Sequence, residues 1–257
     1  MEENKMKKLL KKVLCLSMVA LVAALVVGCG NDSDIAGSSA GNSKENVSSN
    51  TTDAVVSEDK YNYDENDDEK TLTIFGVYDK KAKIYDIPSE IENKQVTAIN
   101  QNAFGGMNNI EEVIVPGTVK KIGDAAFAFE HNLKKITFKE GVKEIGSICF
   151  GEDTALTEVI LPNSLEKIGN DAFSTCESLE KITIPVGVKR IETNTFAGCP
   201  KLKEVHLSDS VEFIQSEVEA DGIYSAFDQS PNVTIYAPKG SYAEKYAKQE
   251  NIKFVAE

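Results

Sequence analysis

Cysteine and histidine are the scarce chemistry-bearing side chains here, five and two in number. His131 and His206 have no Ser, Cys or second His at a recurring offset, so no nucleophile–base pair is visible. No Gly-rich phosphate loop and no HExxH occur. Cys176 and Cys199 lie 23 residues apart, but without a His or further Cys at the same period they do not make a zinc site. A disulfide between them is one reading; against it, their column also holds Met107, Glu130, Asp153 and Ser230 and so tolerates many side chains. The acidic run Asp64–Glu69 lacks the Gly and spaced ligands of a calcium loop and reads as solvated charge. The expectation is no catalytic residue, no metal and no cofactor.

Cys29 has a different context. Lys5, Lys7, Lys8, Lys11 and Lys12 precede an apolar run from Val13 to Val27. At ~1.5 Å per residue that run reaches only ~22 Å, short of the ~30 Å hydrocarbon core. A basic, an apolar and a small-residue region in that order read as a signal peptide over 1–28. The ending Val26-Val27-Gly28-Cys29 resembles the lipobox of bacterial lipoproteins. The resemblance implies diacylglycerol on the Cys29 thiol, cleavage before it, and anchoring to the outer face of a bacterial membrane. Two or three acyl chains hold a protein there stably where one does not.

The chain has 257 residues, a net charge of −13 and 41% apolar residues, enough to build a core. Without 1–28, 23 basic and 39 acidic residues leave −16. So acidic a body brings few cations to displace counterions from phosphate, which argues against nucleic acid as a partner. Residues 29–69 are crowded with Ser, Asn, Gly, Asp and Thr and lack hydrophobic periodicity, so they read as a tether.

The remainder of the chain is ordered by a period. Phe104, Phe127, Phe150, Phe173 and Phe196 are separated by four intervals of 23. Other columns share the register, among them Val113, Ile136, Val159, Ile182 and Val205, then Ile122, Ile145, Ile168, Ile191 and Ile214. This period with an LxxIxI core predicts a β-rich leucine-rich-repeat solenoid with one short parallel strand per coil and a second in the Val-x-x-Ile segment. One repeat alone cannot fold. Six core side chains give roughly 9–18 kcal/mol, whereas ordering 23 residues costs about 35 kcal/mol. Cys149 falls in a column of Ala103, Ala126, Ala172, Thr195 and Ala226 and reads as a small buried filler.

The repeats are expected over 104–227. A cap at 70–103 should pair TLTIFGVY with AKIYDIP as a hairpin, and a C-terminal cap at 228–257 should carry a short helix. In that helix Ser241 and Glu244 form a capping box, and Tyr242, Tyr246 and Ala247 share one side. An eight-residue insertion around Glu217–Asp221 should bulge from the last coil. The units VILPNSLEKIGNDAFSTCESLEKITIP and KITIPVGVKRIETNTFAGCPKL resemble the BspA-like leucine-rich repeats of bacterial surface proteins. That resemblance implies a non-enzymatic scaffold for adhesion to extracellular or host proteins.

Two outward columns form the expected binding strip on the concave sheet. One reads Glu112, Lys135, Glu158, Lys181, Glu204, a ladder of alternating charge. The next reads Ile114, Thr137, Ile160, Thr183, His206. A cell-envelope glycan or small-ligand receptor is the alternative, but these columns hold no ladder of stacking aromatics; an envelope enzyme ranks lower still.

Overall fold

A computed structural model describes residues 60–78, 80–219 and 222–257. The lipidation expected at Cys29, the signal peptide expected over 1–28 and the tether expected up to residue 59 lie outside these residues.

Each coil turns the 23-residue period into three sides. The first carries the LxxIxI strands: β3 (Ile84–Asp86), β6 (Glu112–Val115), β8 (Lys135–Phe138), β10 (Glu158–Ile160), β12 (Lys181–Thr183), β14 (Glu204–His206), β18 (Thr234–Ala237) and β19 (Lys253–Ala256). Alternation puts Val113 and Val115 of β6 inward, fully buried, and leaves Glu112 and Ile114 partly exposed. The second side carries two-residue strands β7 (Lys121–Ile122), β9 (Glu144–Ile145), β11 (Lys167–Ile168), β13 (Arg190–Ile191) and β15 (Phe213–Ile214), each with its Ile buried. Pairing between coils is parallel and keeps the predicted register, as in Glu112↔Lys135 and Ile122↔Ile145.

The third side is a loop built on phenylalanine. The rings of Phe104, Phe127, Phe150, Phe173, Phe196 and Phe227 stack with successive centroids 4.9–5.7 Å apart and planes within 13°. The first five are fully buried and Phe227 is 5% exposed. Such ring pairs add about 0.5–1.5 kcal/mol each beyond area burial, so the spine couples every coil to the next.

The caps depart from expectation. TLTIFGVY and AKIYDIP do not pair with each other. The first forms β2 (Thr71–Val77), which pairs antiparallel with β1 (Tyr61–Glu65) and parallel with β5 (Lys94–Ile99). The second forms β3, which starts the LxxIxI sheet by pairing with β6. Both already belong to a coil, so each extends a different side. Residues 60–69 are therefore folded, where a tether was expected. Tyr61 is 1% exposed, and alternation from Tyr61 to Tyr63 is a strand signal inside a polar run. The acidic run supplies the last strand residues and the turn: the Asp68 carboxylate accepts the Lys70 and Thr71 N–H groups at 2.9 Å. The extra residues after Pro88 form the hairpin of β4 (Glu90–Ile91) with β5. Glu92 and Asn93 both have positive φ there (51° and 61°), as a type I′ turn requires.

At the other end the acidic insertion is an antiparallel hairpin, β16 (Ser216–Glu219) with β17 (Gly222–Ser225), rather than an irregular bulge. Helix α1 (Tyr242–Gln249) starts at Ser241, whose Oγ accepts the Glu244 N–H at 3.3 Å, while Glu244 accepts the Gly240 N–H at 2.6 Å. Its buried face is Ala243, Tyr246 and Ala247; Tyr242 lies outward, 38% exposed.

One junction breaks the pattern. β10 and β12 belong to different sheets, and so do β11 and β13. Lys134 N, Thr157 N and Lys203 N each donate to the preceding coil, to Glu111 O, Lys134 O and Glu180 O, at 2.9–3.0 Å. Among the described residues, Glu180 N makes no such bond to Thr157 O, nor Leu161 N to Thr183 O, nor Lys189 N to Glu166 O, nor Glu192 N to Ile168 O. The loop side stays closed: Asp171, Phe173 and Thr175 donate to Thr193, Thr195 and Ala197 at 2.7–3.0 Å.

Glu192 stands at the break, in a column whose first member, Asn100, keeps its bond to Ile74 O (2.7 Å). The column Gly123, Gly146, Gly169 packs so tightly that an added Cβ would lie 2.4, 2.6 and 2.5 Å from backbone of the preceding coil. Glu192 brings a Cβ to that position, and its carboxylate turns back to Arg190 at 2.9 Å. Gln215 follows in the same column but keeps its bond to Ile191 O (2.9 Å). There the chain leaves the repeat path at once, for β16.

Candidate binding face

The outward columns lie side by side as the period requires. Strand pairing aligns Glu112, Lys135 and Glu158 across three strands, and Lys181 with Glu204 across two more. Lys135 Nζ sits 3.8 Å from Glu112 and 3.5 Å from Glu158, and Lys181 Nζ 3.0 Å from Glu204. The Lys181 ammonium, by bonding and by charge, holds the Glu204 carboxyl below its ordinary range. The fourth rung, Glu158 to Lys181, is not formed among the described residues; it spans the open junction. Lys143–Glu166 (2.5 Å) and Lys189–Glu212 (3.6 Å) repeat this on the second side, again with no Glu166–Lys189 pair among the described residues. Exposed pairs of this kind are worth about 0.2–1 kcal/mol, so the column sets charge pattern more than stability.

In the second column Ile114, Thr137, Ile160 and Thr183 face outward, with Ile160 43% exposed. His206 ends it differently from a plain surface histidine. Its ring stacks on Tyr236 at 4.6 Å and 15°. Nδ1 lies 3.0 Å from Glu257 and Nε2 3.5 Å from Glu204. Tyr236 and Glu257 lie beyond the last full repeat, so column reading could not include them.

Column reading also misses the buried carboxyls. The column three residues after each Phe starts with the partly buried Met107 and continues with Glu130, Asp153, Cys176, Cys199 and, after the insertion, Ser230, which are buried. Their task is to tie coils together. Glu130 accepts the Met107 and Asn108 N–H groups (2.5 and 2.9 Å), and Asp153 accepts the Glu130 N–H at 2.8 Å. Cys176 and Cys199 donate S–H to Phe150 O and Phe173 O at 3.3 and 3.2 Å, as free thiols. Burial pushes both thiols up, Cys199 to about 12, which makes them inert. Mixed residue types make this column look exposed in sequence; its shared feature is a polar atom reaching a neighbouring backbone.

Desolvation also raises the carboxyls, Glu130 to about 7 and Asp153 well above the ordinary range, with their mutual repulsion adding to Asp153. A carboxyl with a raised folded pKa binds its proton more tightly folded than unfolded. Its stabilisation is therefore complete below the unfolded value near 4.5 and is lost as pH rises toward 7. Thermal melts should show stability falling between about pH 4.5 and 7, by up to about 3 kcal/mol from Glu130. Glu130→Gln should flatten that slope; an unchanged slope would place the titration elsewhere.

Among the described residues no three or more His, Cys, Asp or Glu side chains are arranged to hold a metal, and no helix is long and apolar enough to cross a membrane. Stacked parallel coils, an aromatic spine and capped ends define a leucine-rich-repeat solenoid. Residues 97–221 match the family model of the BspA type leucine rich repeat region in six copies. This part of the chain belongs to the BspA-type leucine-rich repeats. The Treponema pallidum leucine-rich repeat protein TpLRR is similar over 79% of this chain and 98% of its own, with 20% identity and a TM-score of 0.57. A leucine-rich repeat protein from Bacteroides ovatus matches 74% of this chain and 56% of its own, at 22% identity and a TM-score of 0.48. The pneumococcal vaccine antigen PcpA matches 69% of this chain and 68% of its own, at 17% identity and a TM-score of 0.37. No curated protein matches the chain.

Proposed function

We propose that the protein is a non-enzymatic scaffold, anchored by lipid at Cys29 to the outer face of a bacterial membrane, that binds an extracellular or host protein. The observation behind the binding role is the outward face of β6 to β14. There ten side chains stand on five strands, held in register by backbone pairing from β6 to β10 and from β12 to β14, so little ordering cost remains to be met on association. The alternation of Glu and Lys beside Ile and Thr offers a polar, β-shaped field to a protein surface. The lone stacked pair His206–Tyr236 is not the aromatic ladder a glycan receptor would use.

Reversing Lys135 and Lys181 to Glu tests the face. Both side chains are solvent-accessible, 36% and 56%, so the fold should tolerate the change within about 1 kcal/mol each. Five like charges would then stand in one column, and a captured partner should bind at least about tenfold more weakly. Full affinity in that double variant would remove the face from the site. For the anchor, Cys29→Ala should release the protein from detergent-requiring membrane association; retention at normal mature mass would refute lipidation.

A further inference from the structure

The junction between β10 and β12 has two walls that both lack a strand partner. Among the described residues β10 pairs only with β8, and β12 only with β14. By the register of the neighbouring coils, Leu161 N–H and Thr157 C=O point into the gap from one wall, and Glu180 N–H and Thr183 C=O from the other. On the β10 wall Val159 and Leu161 are only partly buried, whereas Val113, Val115, Ile136 and Val205 in their columns are fully buried; on the β12 wall Ile182 and Ile184 stay buried, 1% and 3% exposed. Glu158 and Lys181 stand on opposite rims, each paired on its far side only.

The geometry points to a docking site here for a short extended segment of a partner protein, which would add a strand between β10 and β12. Unpaired strand edges template added strands, and strand addition takes its affinity from main-chain bonds and its specificity from alternate side chains. The walls specify the occupant. Its first and third side chains face Val159, Leu161, Ile182 and Ile184 and must be apolar. The one between the rims lies between a carboxylate and an ammonium, and a side-chain amide, which both donates and accepts, suits that place.

Entry breaks no inter-strand hydrogen bond, because none is present at this junction. The coils can spread about the loop side, which its three backbone bonds and the Phe173–Phe196 stack keep closed. The turn contact of Gly187 with Leu165 O, 2.2 Å from a Cβ position, sets the far end. The occupant is thus limited to roughly four or five residues at ~3.3 Å each.

This site deepens the reading of the strand face as a protein-binding surface and rests on it, yet a peptide assay reads the gap alone. The purified full chain would be titrated with a labelled, end-blocked peptide Leu-Lys-Gln-Ile-Thr-Ile-Lys, while backbone amide exchange is followed. The expected result is binding below about 1 mM, with new protection at Leu161, Glu180 and Lys181. Glu192→Gly restores the close-packed column and should close the gap. It should protect those amides without peptide and weaken peptide binding at least about tenfold. A peptide with Pro at the central Ile, lacking that N–H, should not bind. The site is overturned if no binding occurs at that concentration, or if Glu192→Gly binds equally well. Protection at β1 or β19 instead, or gap amides as slow as those of β8 in the free protein, would overturn it too. Lys181 is a rim of the gap as well as part of the face, so Glu192→Gly, away from the face, separates the two readings: it should weaken the peptide and leave a captured partner's sensitivity to Lys135→Glu unchanged.

Discussion

Phe173→Ala is expected to destabilise the array by about 3–5 kcal/mol and to split its unfolding into two transitions. Phe150→Ala should cost as much but leave one. Both rings are fully buried in the spine. They differ in what surrounds their contacts. Around Phe150 the coils are also joined by strand pairs on two sides, β8 with β10 and β9 with β11. From the Phe173 coil to the next, strand pairing is absent, and the Phe173–Phe196 stack at 5.7 Å with three loop bonds remains. In a solenoid, cooperativity is the strength of nearest-neighbour coupling. Removing the ring at the weakest junction should uncouple the coils up to β11 from those after β12. Calorimetry of the two variants decides it, and a single transition for Phe173→Ala would show that the open junction is not the weak one.

Tyr61→Ala should cost about 3 kcal/mol although it lies in a segment whose composition reads as tether. Its ring is 1% exposed in the first core layer, and its hydroxyl donates to Asp86 O at 3.4 Å. Desolvation by burial raises that hydroxyl's pKa, with Tyr85 and Asp86 adding to it. Tyr78→Ala, at a ring 72% exposed, should change stability by less than about 0.5 kcal/mol. Equal effects of the two substitutions on the denaturation midpoint would mean that β1 does not cap the core.

The legible part of the sequence is whatever repeats. The inward Val, Ile, Leu and Phe columns, the two strand sides and the outward charges all follow from one period, because parallel stacking puts equal positions of successive coils together. The caps are harder to read for the same reason. β1 has no columnmate, and its aromatic alternation is hidden in a run of Asn, Asp and Glu. The Glu130 column misleads by changing residue type at every coil while keeping one role, reaching back to a neighbouring backbone. The series Gly123, Gly146, Gly169 and then Glu192 is visible as an exception. Its consequence needs the distance between backbones, which no side-chain pattern carries.

A hydrogen-exchange footprint of the full chain with its captured partner tests the binding face most directly. Protection should concentrate on β6, β8, β10, β12 and β14 and should fade when Lys135 and Lys181 are both Glu. Protection confined to the β16–β17 hairpin or to α1, with the strand amides unchanged, would contradict it.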